Sequence, residues 1–240
     1  MKSKKILLII PAYNEEKCIL NTYNKIINYN KSHDINFDVI VINDGSTDNT
    51  TSILEENHIP HINLIHNLGI GGAVQTGYKY AFYNNYDIAI QFDGDGQHDI
   101  NYIESIISPI INDNCDMVIG SRFIDKKSSS FKSSMARRFG IKIISFFIKV
   151  VTLKKIYDTT SGFRAINKRL IKYFSNNYPV EYPEPVSTVS ILKKGYKIKE
   201  IPVSMNEREN GKSSIHSWKK IYYMINVILS ILVAGMGGKK

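Results

Sequence analysis

Gln91-Phe92-Asp93-Gly94-Asp95-Gly96-Gln97 follows a short apolar run, Ile88-Ala89-Ile90, and precedes His98-Asp99 and apolar residues at Ile103, Ile106, Ile107 and Ile110. The run reads as a buried strand, and the later spacing as an amphipathic helix. Two carboxylates at positions i and i+2, flanked by glycines at a strand's carboxyl end, can hold a hard divalent cation that shares its remaining positions with phosphate and water. The carboxyl edge of an open α/β sheet is also where such folds bind ligands. A solvated Asp-Gly turn is the bland alternative, and the segments upstream weigh against it.

Upstream, Ile6–Pro11 is a continuous apolar run that fits a buried parallel strand. Asn14 is expected to begin a helix that carries Ile19, Tyr23, Ile26 and Ile27 on one face. Phe37–Ile42 is a second strand, ending in Asn43-Asp44-Gly45-Ser46-Thr47-Asp48, with Thr47 or Asp48 as N-cap of the next helix. Ile62–Ile65 is a third strand, Met117–Gly120 a fifth and Ile198–Ser204 a late one. Strands alternating with helices predict a mostly parallel sheet covered on both faces. Lys126–Ser134 and Asn206–Ser214 read as polar loops, and Met135–Val151 as a basic amphipathic helix.

A chain of 240 residues, 43% hydrophobic and 22% charged, fits one large α/β domain. The net charge of +9 is unevenly distributed: residues 1–119 carry 7 basic and 15 acidic side chains, residues 120–240 carry 24 and 7. An acidic half with metal-binding potential joined to a basic half suits an enzyme that grips phosphates, and no nucleic-acid partner is expected. Cys18 and Cys115 lack disulfide or metal-ligand spacing, and Met1–Lys5 leads into too short an apolar run for a secretory signal. Asn67-Leu68-Gly69-Ile70-Gly71-Gly72 follows a strand and opens a helix, but it is not G-x-G-x-x-G and does not lie on the first βα turn, so a dinucleotide site is discounted.

Trp218-Lys219-Lys220 precedes Ile221–Met236, sixteen uncharged residues broken only by Asn226 and Ser230. A spanning helix needs about 20 apolar residues. This tail therefore reads as a helix at the membrane interface in preference to one buried against the protein or a partner. Residues 1–215 would form the main domain and 216–240 the membrane-associated helix.

Tyr13 can stack on a base, Glu15 can accept from base or ribose, and Asp44 reaches the same sheet edge. Pro11-Ala12-Tyr13-Asn14-Glu15, Asn43-Asp44-Gly45-Ser46-Thr47-Asp48, Asn67-Leu68-Gly69, Asp93-Gly94-Asp95-Gly96-Gln97, Gly120-Ser121-Arg122 and Ser161-Gly162-Phe163-Arg164 occur in the order found in family 2 glycosyltransferases. The chain resembles that family over about residues 6 to 215, above all its dolichol-phosphate mannosyltransferase and polyprenyl-phosphate glycosyltransferase branch.

The resemblance implies a GT-A fold and inverting transfer of a hexose from a UDP- or GDP-sugar, with Mg²⁺ or Mn²⁺ as cofactor. It implies that Pro11, Tyr13, Glu15, Asp44 and Asp93 line the nucleoside pocket and that Asp95 and Gln97 hold the metal. Arg208 and Lys212 would reach the diphosphate, and Arg122 with Arg138 (or its neighbour Arg137) would grip an acceptor phosphate.

A developing negative charge on a diphosphate leaving group calls for a metal and a cation. A phosphate acceptor is already anionic and needs only positioning, whereas a hydroxyl needs a base. Asp158, Glu181 and Glu184 are the downstream candidates for that base, and His98 reads as an exposed helix-start residue. Polyprenyl phosphate is the expected acceptor. A saccharide hydroxyl with Glu184 as base is the alternative, and a non-catalytic nucleotide-sugar-binding or scaffold protein is the reading of another class. The expected location is the cytoplasmic face of the cell membrane, held peripherally, with a small membrane protein or a second copy as companions to consider.

Overall fold

The computed structural model describes residues 4–33, 35–112, 115–124, 135–205 and 217–237. In chain order its elements are β1 (Ile6–Ala12), α1 (Ile19–Ser32), β2 (Asp38–Asn43), α2 (Thr50–Glu56), β3 (His61–Asn63), α3 (Gly69–Tyr83), β4 (Ile88–Gln91), α4 (Ile103–Asn112, after a single 3₁₀ turn) and β5 (Met117–Ser121). They continue with α5 (Met135–Thr152), β6 (Arg164–Asn167), α6 (Lys168–Asn177), α7 (Pro183–Lys193), β7 (Ile198–Pro202) and α8 (Ser217–Met236).

The seven strands form one sheet in the order β3-β2-β1-β4-β6-β5-β7. β1 pairs in parallel with β2 and β4, as do β2 with β3 and β5 with β7. β6 lies antiparallel between β4 and β5, with Gln91 opposite Arg164 and Met117 opposite Ile166. The sheet is thus mixed, with its parallel part dominant.

Successive side chains of a strand leave opposite faces. In β1, Ile6, Leu8, Ile10 and Ala12 therefore enter the core under α1, α2 and α4, while Leu7 and Ile9 enter the core with α3, α6, α7 and α8. A strand buried on both sides has to be apolar throughout, which is why β1 reads as an unbroken run.

Three local expectations change. Asn14 does not start the first helix: it turns with φ 56°, and α1 begins five residues later at Ile19. The third strand is shorter and earlier than its apolar run, His61–Asn63, and Ile65 stands 90% exposed beyond it. The tail helix α8 is not simply an interfacial helix. Val227 and Ile231 are fully buried in the core shared with α5 and α7, and two such side chains stabilise the fold by roughly 1.5–3 kcal/mol each. Its other face exposes Tyr222, Ile225, Leu229, Val233 and Met236. Among the described residues no helix is long and apolar enough to cross a membrane.

Candidate active site

The carboxyl ends of β1, β2 and β4 meet at one edge of the sheet. There the loop after β1 and the loop after β2 are stitched together. Asn14 N–H donates to Ser46 Oγ at 3.0 Å, Thr47 N–H donates to Asn14 Oδ1 at 2.8 Å, Glu15 N–H donates to Thr50 Oγ1 at 2.9 Å, and Asn49 N–H donates to Glu16 Oε2 at 3.0 Å. The left-handed Asn14 belongs to this lacing. Pro11 is buried in β1, Tyr13 stands half-exposed at the rim, and Glu15 is half-buried beside it.

Asp44 closes β2 but turns inward. Its Oδ1 accepts from the Leu68 N–H at 2.7 Å, and burial pushes its carboxyl above the usual range against the pull of the Leu68 and Gly69 amides. The Asn67-Leu68-Gly69 segment thus braces the second loop through Asp44.

Beyond β4, Asp93 Oδ2 lies 3.0 Å from His98 Nε2, and Gln91 Nε2 donates to Asp93 Oδ1 at 3.4 Å. Burial alone would raise the Asp93 carboxyl, but His98, Gln91 and the nearby Arg122 together hold it below the usual carboxylate range. His98 is not an exposed helix-start residue. It is buried, packed between the rings of Phe92 and Phe163, and its backbone pairs with Met205. Gly162 explains itself at the same place: a Cβ there would sit 2.6 Å from Asp93 Oδ2, so only glycine lets the two segments approach.

Asp95 and Gln97 stand half-exposed on the same loop, where the Gln97 N–H donates to Asp95 Oδ1 at 3.1 Å. Among the described residues no three His, Cys, Asp or Glu side chains gather into a metal cage. One partly exposed carboxylate and an amide fit a cation whose other positions go to a ligand's phosphates and water. Arg208 and Lys212 lie outside the described residues.

Arg122 is buried and forms a bidentate pair with the fully buried Asp158, Nε to Oδ2 at 2.7 Å and Nη2 to Oδ1 at 2.8 Å, with Nη2 also donating to Thr160 Oγ1 at 2.9 Å. Asp158 is therefore committed to Arg122 and is not placed as a free base. Arg122 nonetheless borders a cleft of about 880 Å³ lined by Arg138, Lys142, Lys149 and Lys155 together with Phe123, Ile141, Phe146 and Tyr157. The side chain of Arg137 is outside the described set, and Glu181 is exposed.

Glu184 occupies the first turn of α7, half-buried and close enough to Asp93 and Gln91 to feel both. Burial raises its carboxyl, and Arg164 works against that rise. Arg164 is the residue that sequence reasoning quoted without a role. Only 1% exposed, it donates from Nε to Ser161 O at 2.7 Å and from Nη1 to Glu184 O at 3.0 Å, tying β6 to α7 beneath the site. The signal was a cation closing an apolar Gly-Phe pair, and a polar Gln91 ending an apolar strand opposite it.

The family model described as "Glycosyl transferase family 2" matches residues 7–174. The UDP-N-acetylglucosamine–dolichyl-phosphate N-acetylglucosaminyltransferase of Methanococcus voltae is 35% identical over 223 residues, covering 85% of this chain and 86% of that protein. The undecaprenyl-phosphate mannosyltransferase of Micrococcus luteus is 25% identical, covering 88% and 87%. Among solved structures, glucosyl-3-phosphoglycerate synthase from Mycobacterium tuberculosis in complex with Mn²⁺, UDP-glucose and phosphoglyceric acid matches with a TM-score of 0.71 at 16% identity, covering 99% of this chain and 81% of that one. The fold is therefore GT-A-like, and the chain belongs to glycosyl transferase family 2 as a nucleotide-sugar-dependent glycosyltransferase related to the polyprenyl-phosphate sugar transferases.

Proposed function

We propose that the protein transfers a hexose from a UDP- or GDP-sugar to a polyprenyl phosphate at a membrane surface. One observation carries the acceptor assignment. The cleft beside Arg122 is lined by cations and apolar rings and, among the described residues, by no carboxylate. An anionic phosphate nucleophile needs cations to position it and no base to activate it. An apolar chain attached to that phosphate needs a greasy wall, which Phe123, Ile141 and Phe146 supply.

The exposed faces of α5 and α8 support the same reading. Phe139, Phe146, Val150 and Leu153 project from or just beyond α5, and Tyr222, Ile225, Leu229, Val233 and Met236 from α8. Single exposed apolar residues are ordinary, but two stripes on packed helices beside lysines favour contact with an anionic bilayer. The protein would sit peripherally on the cytoplasmic face.

On the donor side, Tyr13 and Glu15 would contact the nucleoside, with Pro11, Asp44 and Asp93 shaping that pocket. Asp95 and Gln97 would hold Mg²⁺ or Mn²⁺. When bound, that cation offsets the charge left on the nucleoside diphosphate as the sugar departs. The similar fold solved with Mn²⁺ and UDP-glucose supports a divalent cofactor. Arg208 and Lys212 would add cations to the diphosphate.

A second reading rests on Glu184, whose carboxyl is raised by burial beside Asp93 and could serve as base for a hydroxyl acceptor. Incubation with a panel of UDP- and GDP-sugars and either undecaprenyl phosphate or short oligosaccharides separates the two. Product on the lipid alone supports the first reading, and product on the saccharide alone overturns it.

A further inference from the structure

α8 exposes one face and packs the other against the fold, and at the border between the two Tyr223, 36% exposed, reaches the start of α7 near Glu184. Tyr223 of α8 meets Tyr182 edge to face, with ring centroids 5.0 Å apart and planes at 76°. Tyr182 is the residue before Pro183 and the cap of α7, and it is held at φ 48°, ψ 51°. A residue preceding proline is normally driven to extended backbone, and a side-chain-bearing residue seldom adopts the left-handed region. Such a conformation persists only where neighbours fix it. Three fixtures are visible: the Tyr223 ring on one side, the Val186 N–H donating to the Tyr182 carbonyl at 3.2 Å, and Arg164, whose Nη1 donates to the Glu184 carbonyl at 3.0 Å.

We infer that Tyr223 is a positioning residue: its ring holds Tyr182 in the left-handed turn and so sets where Glu184 stands beside Asp93. The inference rests on the reading that Glu184 faces the transfer site, as base or as a contact to the sugar. Burial and the nearby Glu184 push the Tyr223 hydroxyl up to about 12, consistent with that proximity.

The test uses the full chain in detergent micelles with Mn²⁺ and a panel of UDP- and GDP-sugars, following nucleoside diphosphate release with undecaprenyl phosphate and with water as acceptor. Tyr223→Ala is expected to lower kcat about tenfold at unchanged donor KM, as loss of one aromatic contact that acts through a neighbour would. Tyr223→Phe keeps the ring and is expected to restore turnover. The double variant Tyr223→Ala/Glu184→Gln is expected to be no slower than Glu184→Gln alone. Additive losses, a Tyr223→Phe as slow as Tyr223→Ala, or a raised donor KM would each overturn the inference while leaving the Glu184 reading in place. Wild-type turnover in Glu184→Gln would instead remove that reading and the inference with it. Should Tyr223→Ala not fold, Tyr223→Leu, which keeps bulk without the edge-to-face ring, is read the same way.

Discussion

His98 Nε2 lies 3.0 Å from Asp93 Oδ2, so the loop that carries the two carboxylates is closed on itself by its own next residue. The imidazole is clamped between Phe92 and Phe163 and cannot swing away. His98→Phe would keep the aromatic packing and delete the bond. Affinity for UDP or GDP with Mn²⁺ is expected to fall about tenfold or more, the effect of losing a hydrogen bond to a charged group. Titration calorimetry reads this directly, and an unchanged affinity would place Asp93 outside the nucleotide pocket.

Asp95 is the partly exposed carboxylate of that loop. Asp95→Asn keeps its shape and its acceptor oxygen for the Gln97 amide, but weakens the grip on a divalent ion. Turnover is expected to drop by about a hundredfold or more, as for loss of a group that stabilises leaving-group charge, with the thermal midpoint nearly unchanged. A kcat equal to wild type would remove the metal from Asp95.

Arg122 and Asp158 are both buried and form a bidentate pair. Removing one charge leaves the other uncompensated, so Asp158→Asn is expected to cost about 3–5 kcal/mol in stability. Denaturant unfolding checks this, and a loss below about 1 kcal/mol would show that the pair is solvated in solution.

The two faces of α8 should respond oppositely to charge. Leu229→Glu and Val233→Glu lie on the exposed face and are expected to abolish co-sedimentation with anionic vesicles at unchanged melting temperature. Ile231→Glu puts a carboxylate into the core and is expected to prevent folding. If the exposed-face variants still pellet with vesicles, the docking surface lies elsewhere. Cutting the helix off is the poorer experiment, because Val227 and Ile231 would leave the core with it.

Gly71 is a packing position. A Cβ there would stand 2.3 Å from Val180 O, against the backbone that enters α7. Gly71→Ala is expected to destabilise by about 1–3 kcal/mol through overpacking, with nucleotide affinity unaltered once the protein is folded. A stability equal to wild type would mean that the segment around Val180 yields freely.

Strand composition made much of this fold legible. β1, β2 and β4 are almost wholly buried and made mostly of Ile, Val, Leu and Ala, and β5 carries Met117-Val118-Ile119, so they stand out as runs. β6 escaped notice because it is four residues long and begins with Arg164, a cation that a central strand ordinarily excludes. Its guanidinium donates through Nε and Nη1 to Ser161 O, Glu184 O, Ser187 and Thr188, partners that no local window of sequence reveals. The residues proposed for the donor side lie at the strand ends where the sequence put them. Arg122 stood out as a cation after a strand end, but its commitment to Asp158, 36 residues away, was not legible. His98 looked like a helix-start residue because only the arrival of Phe163 and Met205 buries it.

The placing of β6 between β4 and β5 also constrains how the chain can be cut. A ribosome that has released everything up to residue 160 has made β4 and β5 without the strand that joins them, so each presents an unpaired edge. Neither stretch can finish as a separate unit, and a nascent chain stalled there would invite pairing with its neighbours. Complementing fragments should therefore divide after β6, where the sheet's two parts are already joined, and not between β5 and α5.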